Sequence, residues 1–415
     1  LKIPMTDTEN NKNSNSPVLR FPGFTEPWKK CRLGDYIRIF SGESPNCVSS
    51  KFGIIPYYKV EQLNWCEKYL GETPYLSQRG KNILPEGCVV FSKRGAAILT
   101  NKVRMNLFPI NIDTNLMGIK ADNSFISDQY LFYFILRARL SRIADTSTIP
   151  QINNIHINPI TIHVPSLEEQ EKITRSLGLL DERIATQRRL IEDLEKLKSS
   201  IVEEVYCSPR ENVPRQRINK KYVDNWSVCQ LGDICTRITR RNTTIESNRI
   251  LTIAAQYGLI DQCSFFNKVV ASENLSNYYI LKKGDFAYNK SYSGDYIWGA
   301  VKRLDKYESG VLSPLYICFQ PKEKLIDSDY LLFYFESKKW HKDIAEIVVE
   351  GARNHGLLNV SIKDFFNMLI PLPSLDEQRD IAATIRAVLI KIECERTILQ
   401  RYESQKGYLL SKMLI

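Results

Sequence analysis

The sequence predicts an α+β fold made by tandem duplication: a mixed domain followed by a long helix, then a second domain and a second helix, with the two helices pairing as a coiled coil. Three observations predict it. Four phrases recur in the same order about 200 residues apart. Each copy ends in a sustained heptad pattern. Between the phrases lie apolar runs of strand length and two aromatic helical stretches.

The phrases fix the duplication. Trp28…Cys31-Arg32-Leu33-Gly34-Asp35 returns as Trp226…Cys229-Gln230-Leu231-Gly232-Asp233, a shift of 198. Leu84-Pro85-Glu86-Gly87…Ser92-Lys93 returns as Leu281-Lys282-Lys283-Gly284…Asn289-Lys290, shift 197. Asp128…Leu131-Phe132-Tyr133-Phe134 returns as Asp329…Leu332-Phe333-Tyr334-Phe335, shift 201, and Pro165-Ser166-Leu167-Glu168-Glu169-Gln170 as Pro373-Ser374-Leu375-Asp376-Glu377-Gln378, shift 208. A solenoid repeats every 20–50 residues or so, far below this period. The resulting division is a polar leader 1–19, domains 20–165 and 208–373, and helices 166–207 and 374–415.

Within each domain, Cys88 to Phe91 and Ile112 to Ile119 are apolar enough for strands. Asp128 to Arg139 and Ser328 to Lys342 have the spacing of helices with aromatic faces. The stretches Tyr57 to Gly80 and Ala254 to Tyr278 share no pattern. A common frame with different filling predicts two modules that recognise different targets.

Each long helix opens on a proline, which ends the preceding extended segment, and on a capping box. Ser166 and Ser374 would accept an orphan amide while Glu169 and Glu377 reach back. A seam then runs through Ile173, Leu177, Leu180, Ile184, Gln187, Ile191, Leu194, Lys198, Ile201 and Val205. Adding 208 gives Ile381, Ile385, Val388, Ile392, Glu395, Leu399, Tyr402, Lys406, Leu409 and Met413, in the same phase. Alternating steps of four and three make a 3.5-residue repeat, which is a coiled-coil seam. The polar breaks fall at matching places, Gln187 with Glu395 and Lys198 with Lys406, so the two helices are expected to pair with each other. Forty residues at 1.5 Å each make a rod of roughly 55–60 Å.

Composition bounds the function. The 415 residues are 43% hydrophobic and 25% charged, as in ordinary globular domains. No apolar run approaches the roughly 18 residues of a membrane span, and the start is polar, with no signal-peptide stretch. Met5 is a candidate for the natural start. The 10 cysteines are scattered and the histidines number 4, against a zinc site. Such thiols fit a reducing cytoplasm. Basic residues number 57 against 47 acidic, a net +10. Residues 1–167 carry +7 and 207–373 carry +5, while 168–206 carry −3 and 374–415 +1. The domains hold the positive charge, which points to an anionic partner.

Catalytic motifs are missing. There is no GxxxxGK[ST] loop and no Asn/Asp-Pro-Pro-aromatic motif; Asn158-Pro159-Ile160 is not one. Glu336-Ser337-Lys338 has the spacing of a nuclease acid and lysine but is read as a solvated helix face. Asp35 and Asp233 are read as a duplicated turn or cap. His156, His163 and His355 lack triad partners. No catalytic or metal site is expected.

Basic loops are the candidates. Lys93-Arg94-Gly95 follows a strand, and Lys290-Ser291-Tyr292 occupies the same place in the second copy. Lysine or arginine beside glycine at a strand end lets the backbone approach a phosphate or base edge. Arg79 with Lys81, Lys102 with Arg104, Arg240 with Arg241, and Arg353 with Asn354 add donors, and all are expected to face DNA.

The assembled pattern resembles the specificity subunit of type I restriction-modification enzymes. The residues concerned are Arg20-Phe21-Pro22-Gly23-Phe24…Trp28…Leu33-Gly34-Asp35, the paired Pro-Ser-Leu-(Glu/Asp)-Glu-Gln helices, Leu357-Leu358-Asn359…Ile370-Pro371-Leu372-Pro373, and Leu409-Leu410…Met413. His163-Val164-Pro165 departs from it by lacking the first proline of Pro-Leu-Pro. The resemblance implies two target recognition domains held apart by an antiparallel coiled coil, each reading half of a split, asymmetric double-stranded DNA site, with rod length setting the spacer. It further implies two modification subunits that methylate adenine with their own S-adenosylmethionine, and restriction subunits using ATP and magnesium, with no cofactor in this chain. A two-module DNA-binding regulator or scaffold without a methyltransferase is the alternative.

Overall fold

In each copy the first repeated phrase forms a strand whose partner is the last segment before the long helix. Lys29–Arg32 runs antiparallel to Thr161–Val164, Lys29 opposite Val164. Ser227–Gln230 runs antiparallel to Leu369–Leu372, Ser227 opposite Leu372. Each domain is thus closed by its own two ends, which is why both phrases recur together. The computed structural model describes residues 15–45, 53–78, 82–146, 149–254, 257–263, 275–291, 296–348 and 358–415.

The frame of each domain is a four-stranded antiparallel sheet. In the first the order is Ile37–Ser41, Leu116–Ala121, Val89–Ser92, Val103–Met105; in the second it is Cys235–Arg237, Ile317–Pro321, Phe286–Asn289, Ala300–Arg303. An aromatic helix covers each sheet, Asp128–Ala138 and Ser328–Glu336, with Tyr130, Tyr133, Tyr330 and Tyr334 fully buried. The filling differs, as the unlike sequences predict. The first domain adds a three-stranded sheet of Leu76–Ser77, Ile55–Tyr58 and Asn111–Ile112. The second adds Leu251–Ala254 paired with Gly258–Asp261, and Tyr279–Lys282 paired with Ser309–Leu312.

Two expectations are corrected. The run Ile112 to Ile119 is not one strand: Asp113 Oδ1 accepts the Asn115 amide at 2.7 Å, and this side-chain turn sends the chain from one sheet to the other. The stretch Ser328 to Lys342 is not one helix. Ser337 takes extended backbone angles and ends the first helix, and a second, His341–Ile347, follows.

The long helices are Leu167–Val205 and Leu375–Met413, 39 residues each. Ser166 and Ser374 accept the Glu169 and Glu377 amides, both at 3.3 Å. The other half of each capping box is replaced. Glu169 takes Arg20 at 2.7 and 2.9 Å and the Trp28 indole N–H at 3.1 Å. Glu377 takes Arg217 at 2.8 and 3.0 Å and the Trp226 indole at 3.1 Å. A buried carboxylate needs its charge paired, and an arginine does so in both copies, through Nε and Nη2 in the first and through Nη1 alone in the second. The neighbouring Gln170 and Gln378 accept the amides that start the aromatic helices, from Ser127 at 2.8 Å and Asp327 at 2.7 Å.

The chain divides into two compact units, Leu1–Leu190 with Glu395–Ile415, and Ile191–Cys394. Each takes part of both long helices. In the first, Ile173 and Leu177 share a core with Leu410, Met413 and Leu414. In the second, Val202 and Val205 share a core with Ile381, Ala382 and Ile385. Early residues of one helix meet late residues of the other, so the pair is antiparallel. Ile173, Leu177, Leu180, Ile184, Ile191, Ile381, Ile385 and Ile392 are buried, and Leu194, Val388, Leu399 and Tyr402 are half-buried.

Candidate nucleic-acid interface

The central strands Val89–Ser92 and Phe286–Asn289 deliver Lys93 and Lys290 to equivalent places. The Lys93 amide donates to Asn115 O and its carbonyl accepts the Ile152 amide, both at 2.8 Å. The Lys290 carbonyl accepts the Leu358 amide at 2.9 Å. Arg94 bridges to Gln151, and the Gly95 amide donates to Pro150 O at 2.8 Å. Gly95 has φ +80°, a left-handed conformation that glycine enters without strain. The backbone of the loop is therefore fixed while Arg94 is exposed. Lys93 is half-buried, and burial pulls its ammonium below the usual lysine range, with Asp113 opposing. Ser291, beside Lys290, donates its amide to Asn289 Oδ1 at 3.0 Å.

The other basic residues are placed differently. Lys102 bonds Asn64 Oδ1, and Arg104 donates to Leu63 O at 3.1 Å and Val103 O at 2.9 Å, so both fasten the turn Val60–Asn64. Arg240 donates to Ile280 O at 2.8 Å and to Asp285, tying two strand pairs together. Arg241 donates to Asn277 O at 2.7 Å and lies over the Tyr279 ring, 5.4 Å from its centroid. These four guanidinium and ammonium groups hold the domain's own chain, although sequence alone made them outward donors. Arg79, Lys81, Tyr292, Arg353 and Asn354, with His355, lie outside the described residues.

The remaining titratable candidates have structural places. Asp233 Oδ2 accepts the Gln230 amide at 2.9 Å as a cap, and His156 Nδ1 accepts the Asn153 amide at 3.0 Å. Burial chiefly holds His163 below the usual histidine range. Glu336 and Lys338 are exposed, as a solvated helix end would be, and the Glu336 carboxylate lies 2.6 Å from Lys198. Arg20 and Arg217 escaped the sequence reading, although their shift of 197 within the repeated frame marks them. Among the described residues no His/Cys/Asp/Glu group is placed to hold a metal ion, and no helix is long and apolar enough to cross a membrane.

Comparison with known proteins gives the same pattern. The family model of the type I restriction modification DNA specificity domain matches twice, over residues 25–196 and 223–404. The MjaVIII type I restriction enzyme specificity subunit of Methanocaldococcus jannaschii is 24% identical over 425 residues, covering 95% of this chain and 93% of that protein. The MjaIX specificity subunit of the same organism is 24% identical over 227 residues, about half of each chain (50% and 51%). Among solved structures, the type I restriction-modification S subunit from M. genitalium superposes with TM-score 0.53 at 15% identity, covering 99% of this chain and 98% of that one. A chain from a study of complex assembly and conformational transition of the type I R-M system gives TM-score 0.58 at 18% identity, covering 93% and 97%. With two family domains spanning most of its length on the frame just described, the chain belongs to the type I restriction-modification DNA specificity family.

Proposed function

We propose that this chain is the non-catalytic sequence-reading subunit of a type I restriction-modification complex. Each recognition domain reads one half of a split, asymmetric DNA site, and the helix pair sets the unread spacer and docks the methyltransferase subunits. The observation that carries the reading is the equivalence of the Lys93 and Lys290 loops: one strand end on a shared frame, set among unlike surroundings. A shared frame places both loops alike against a duplex, and different neighbours let each read a different sequence. S-adenosylmethionine, ATP and magnesium belong, in this reading, to modification and restriction partners in the cytoplasm.

Co-expression with the cognate modification subunit, followed by mapping of methylated adenines, tests it. The expected product is a bipartite motif with a fixed gap, and no methylation, ATP hydrolysis or cleavage by the chain alone. A contiguous motif, or turnover by the pure chain, overturns the reading.

A further inference from the structure

Both helix seams carry a lysine where the heptad calls for an apolar residue: Lys198 ends on a recognition domain, and Lys406 on a helix carboxylate that a recognition domain also bonds. In the first unit Lys406 Nζ is 2.5 Å from Asp181 Oδ1. The other Asp181 oxygen accepts the Tyr133 hydroxyl at 2.6 Å, from the aromatic helix of that domain, and Tyr133 Oη accepts Lys68 Nζ at 3.0 Å. In the second unit Lys198 Nζ is 2.6 Å from Glu336 Oε2, at the last residue of the other aromatic helix. The four charged side chains Lys198, Glu336, Lys406 and Asp181 are between 16% and 26% exposed.

The two routes are not copies of one contact. The repeat places Leu389 where Asp181 stands in the first helix, and Ile135 where Glu336 stands in the second domain. The seam lysine is the common part, and its carboxylate comes from the helix in one unit and from the domain in the other. A lysine in an apolar seam weakens a helix pair relative to leucine or methionine. What it supplies instead is a cation for a carboxylate at the contact of domain and helix: Glu336 of the domain in one unit, and in the other Asp181 of the helix, which also accepts Tyr133 of the domain.

We propose that Lys198 and Lys406 are positioning residues that fix the orientation of each recognition domain on its helix pair, and so set how strictly the complex demands one spacer length. This rests on the specificity-subunit reading above. The more exposed ties, Arg188 with Glu67 and Arg386 with Asp329, stay in the test variants and keep each domain attached.

The test uses the chain assembled with its modification partner, on duplexes carrying both mapped half-sites with the native spacer or one base pair more or less. Lys198→Met and Lys406→Met fill the seam but leave Glu336 and Asp181 without their cations, so each should melt somewhat lower than wild type while still folding and assembling. Their preference for the native spacer should fall about tenfold, as expected when one partly buried ion pair is lost. The exchanged pair Lys198→Glu with Glu336→Lys should recover it. Wild-type sharpness in both methionine variants overturns the proposal, as does an exchanged pair no sharper than Lys198→Met. A wild-type complex indifferent to spacer length overturns the specificity-subunit reading itself.

Discussion

Gln187 donates from Nε2 to the Glu395 carbonyl at 3.1 Å, and the two residues hold the same seam position in the duplicated helices. In an antiparallel pair equivalent positions meet at one place along the seam, and here that place is polar, so the two residues act as a register pin. One heptad inserted beside each residue keeps the pin and adds about 10 Å of helix. That is about three base pairs at roughly 3.4 Å each. Methylome sequencing should find the spacer longer by that amount and both half-sites unchanged. An unchanged spacer in an active complex would defeat the ruler.

The Glu169 and Glu377 latches should matter to stability. Glu377→Ala strands Arg217, whose side chain is 14% exposed, against a buried indole N–H. Removing one partner of a buried pair costs about 3–5 kcal/mol, and Glu169→Ala should cost a similar amount. Glu168→Ala, next door but exposed, should stay within about 0.5 kcal/mol. Denaturant melts measure all three. A latch variant no less stable than Glu168→Ala would show that the carboxylate holds nothing.

The repeated Leu-Gly-Asp phrase should tolerate alanine in only one copy. A Cβ on Gly34 would lie 2.8 Å from Asn158 Cβ and 2.9 Å from its Cα, whereas on Gly232 the nearest atom is Phe366 O at 3.4 Å. Gly34→Ala therefore overpacks and should lose about 1–3 kcal/mol. Gly232→Ala should be close to neutral. Equal losses by thermal denaturation would contradict the asymmetry.

Alkali should unfold the chain through its tyrosines. Burial holds the Tyr130, Tyr206, Tyr330 and Tyr334 phenols well above the usual tyrosine range. A raised folded value means that the stability contributed is whole below the unfolded value of about 10 and is lost as pH rises beyond it. Each such phenol steepens the loss by about 1.4 kcal/mol per pH unit. Phenolate absorbance from these four should appear together with loss of helix by circular dichroism. Their titration in a folded chain would contradict the burial.

Loop variants should separate the halves of the site. Lys93→Ala with Arg94→Ala should affect one half-site only, and Lys290→Ala only the other. A lysine on phosphate should weaken all sequences alike and flatten the salt dependence by roughly one unit of log–log slope. An arginine forked onto guanine should lose about 1–3 kcal/mol at one base position. Binding to a panel of half-site substitutions at two salt concentrations distinguishes these. If either variant blurred both halves at the base level, one domain would not be reading one half.

The sequence by itself determined the duplication, the central strand after Cys88, the start of each aromatic helix and the phase of the helix seam, but not the breaks at Asp113 and Ser337. Each is a local or periodic pattern: Leu84…Ser92 and Leu281…Asn289 repeat as text, and Ile173 to Val205 repeats every 3.5 residues whatever it packs against. Tertiary structure alone decided where charged groups go. Arg104 and Arg94 are alike in sequence, yet one guanidinium closes on Leu63 O and the other is exposed. Glu169 looks like the second half of a capping box, but Arg20 and Trp28 reach it from 149 and 141 residues away. The physical reason is one of range. Apolar periodicity is satisfied by any apolar neighbour, so sequence predicts it without naming the partner. A charge entering a low-dielectric interior needs one particular opposite group at about 3 Å, and only the folded chain brings that group there.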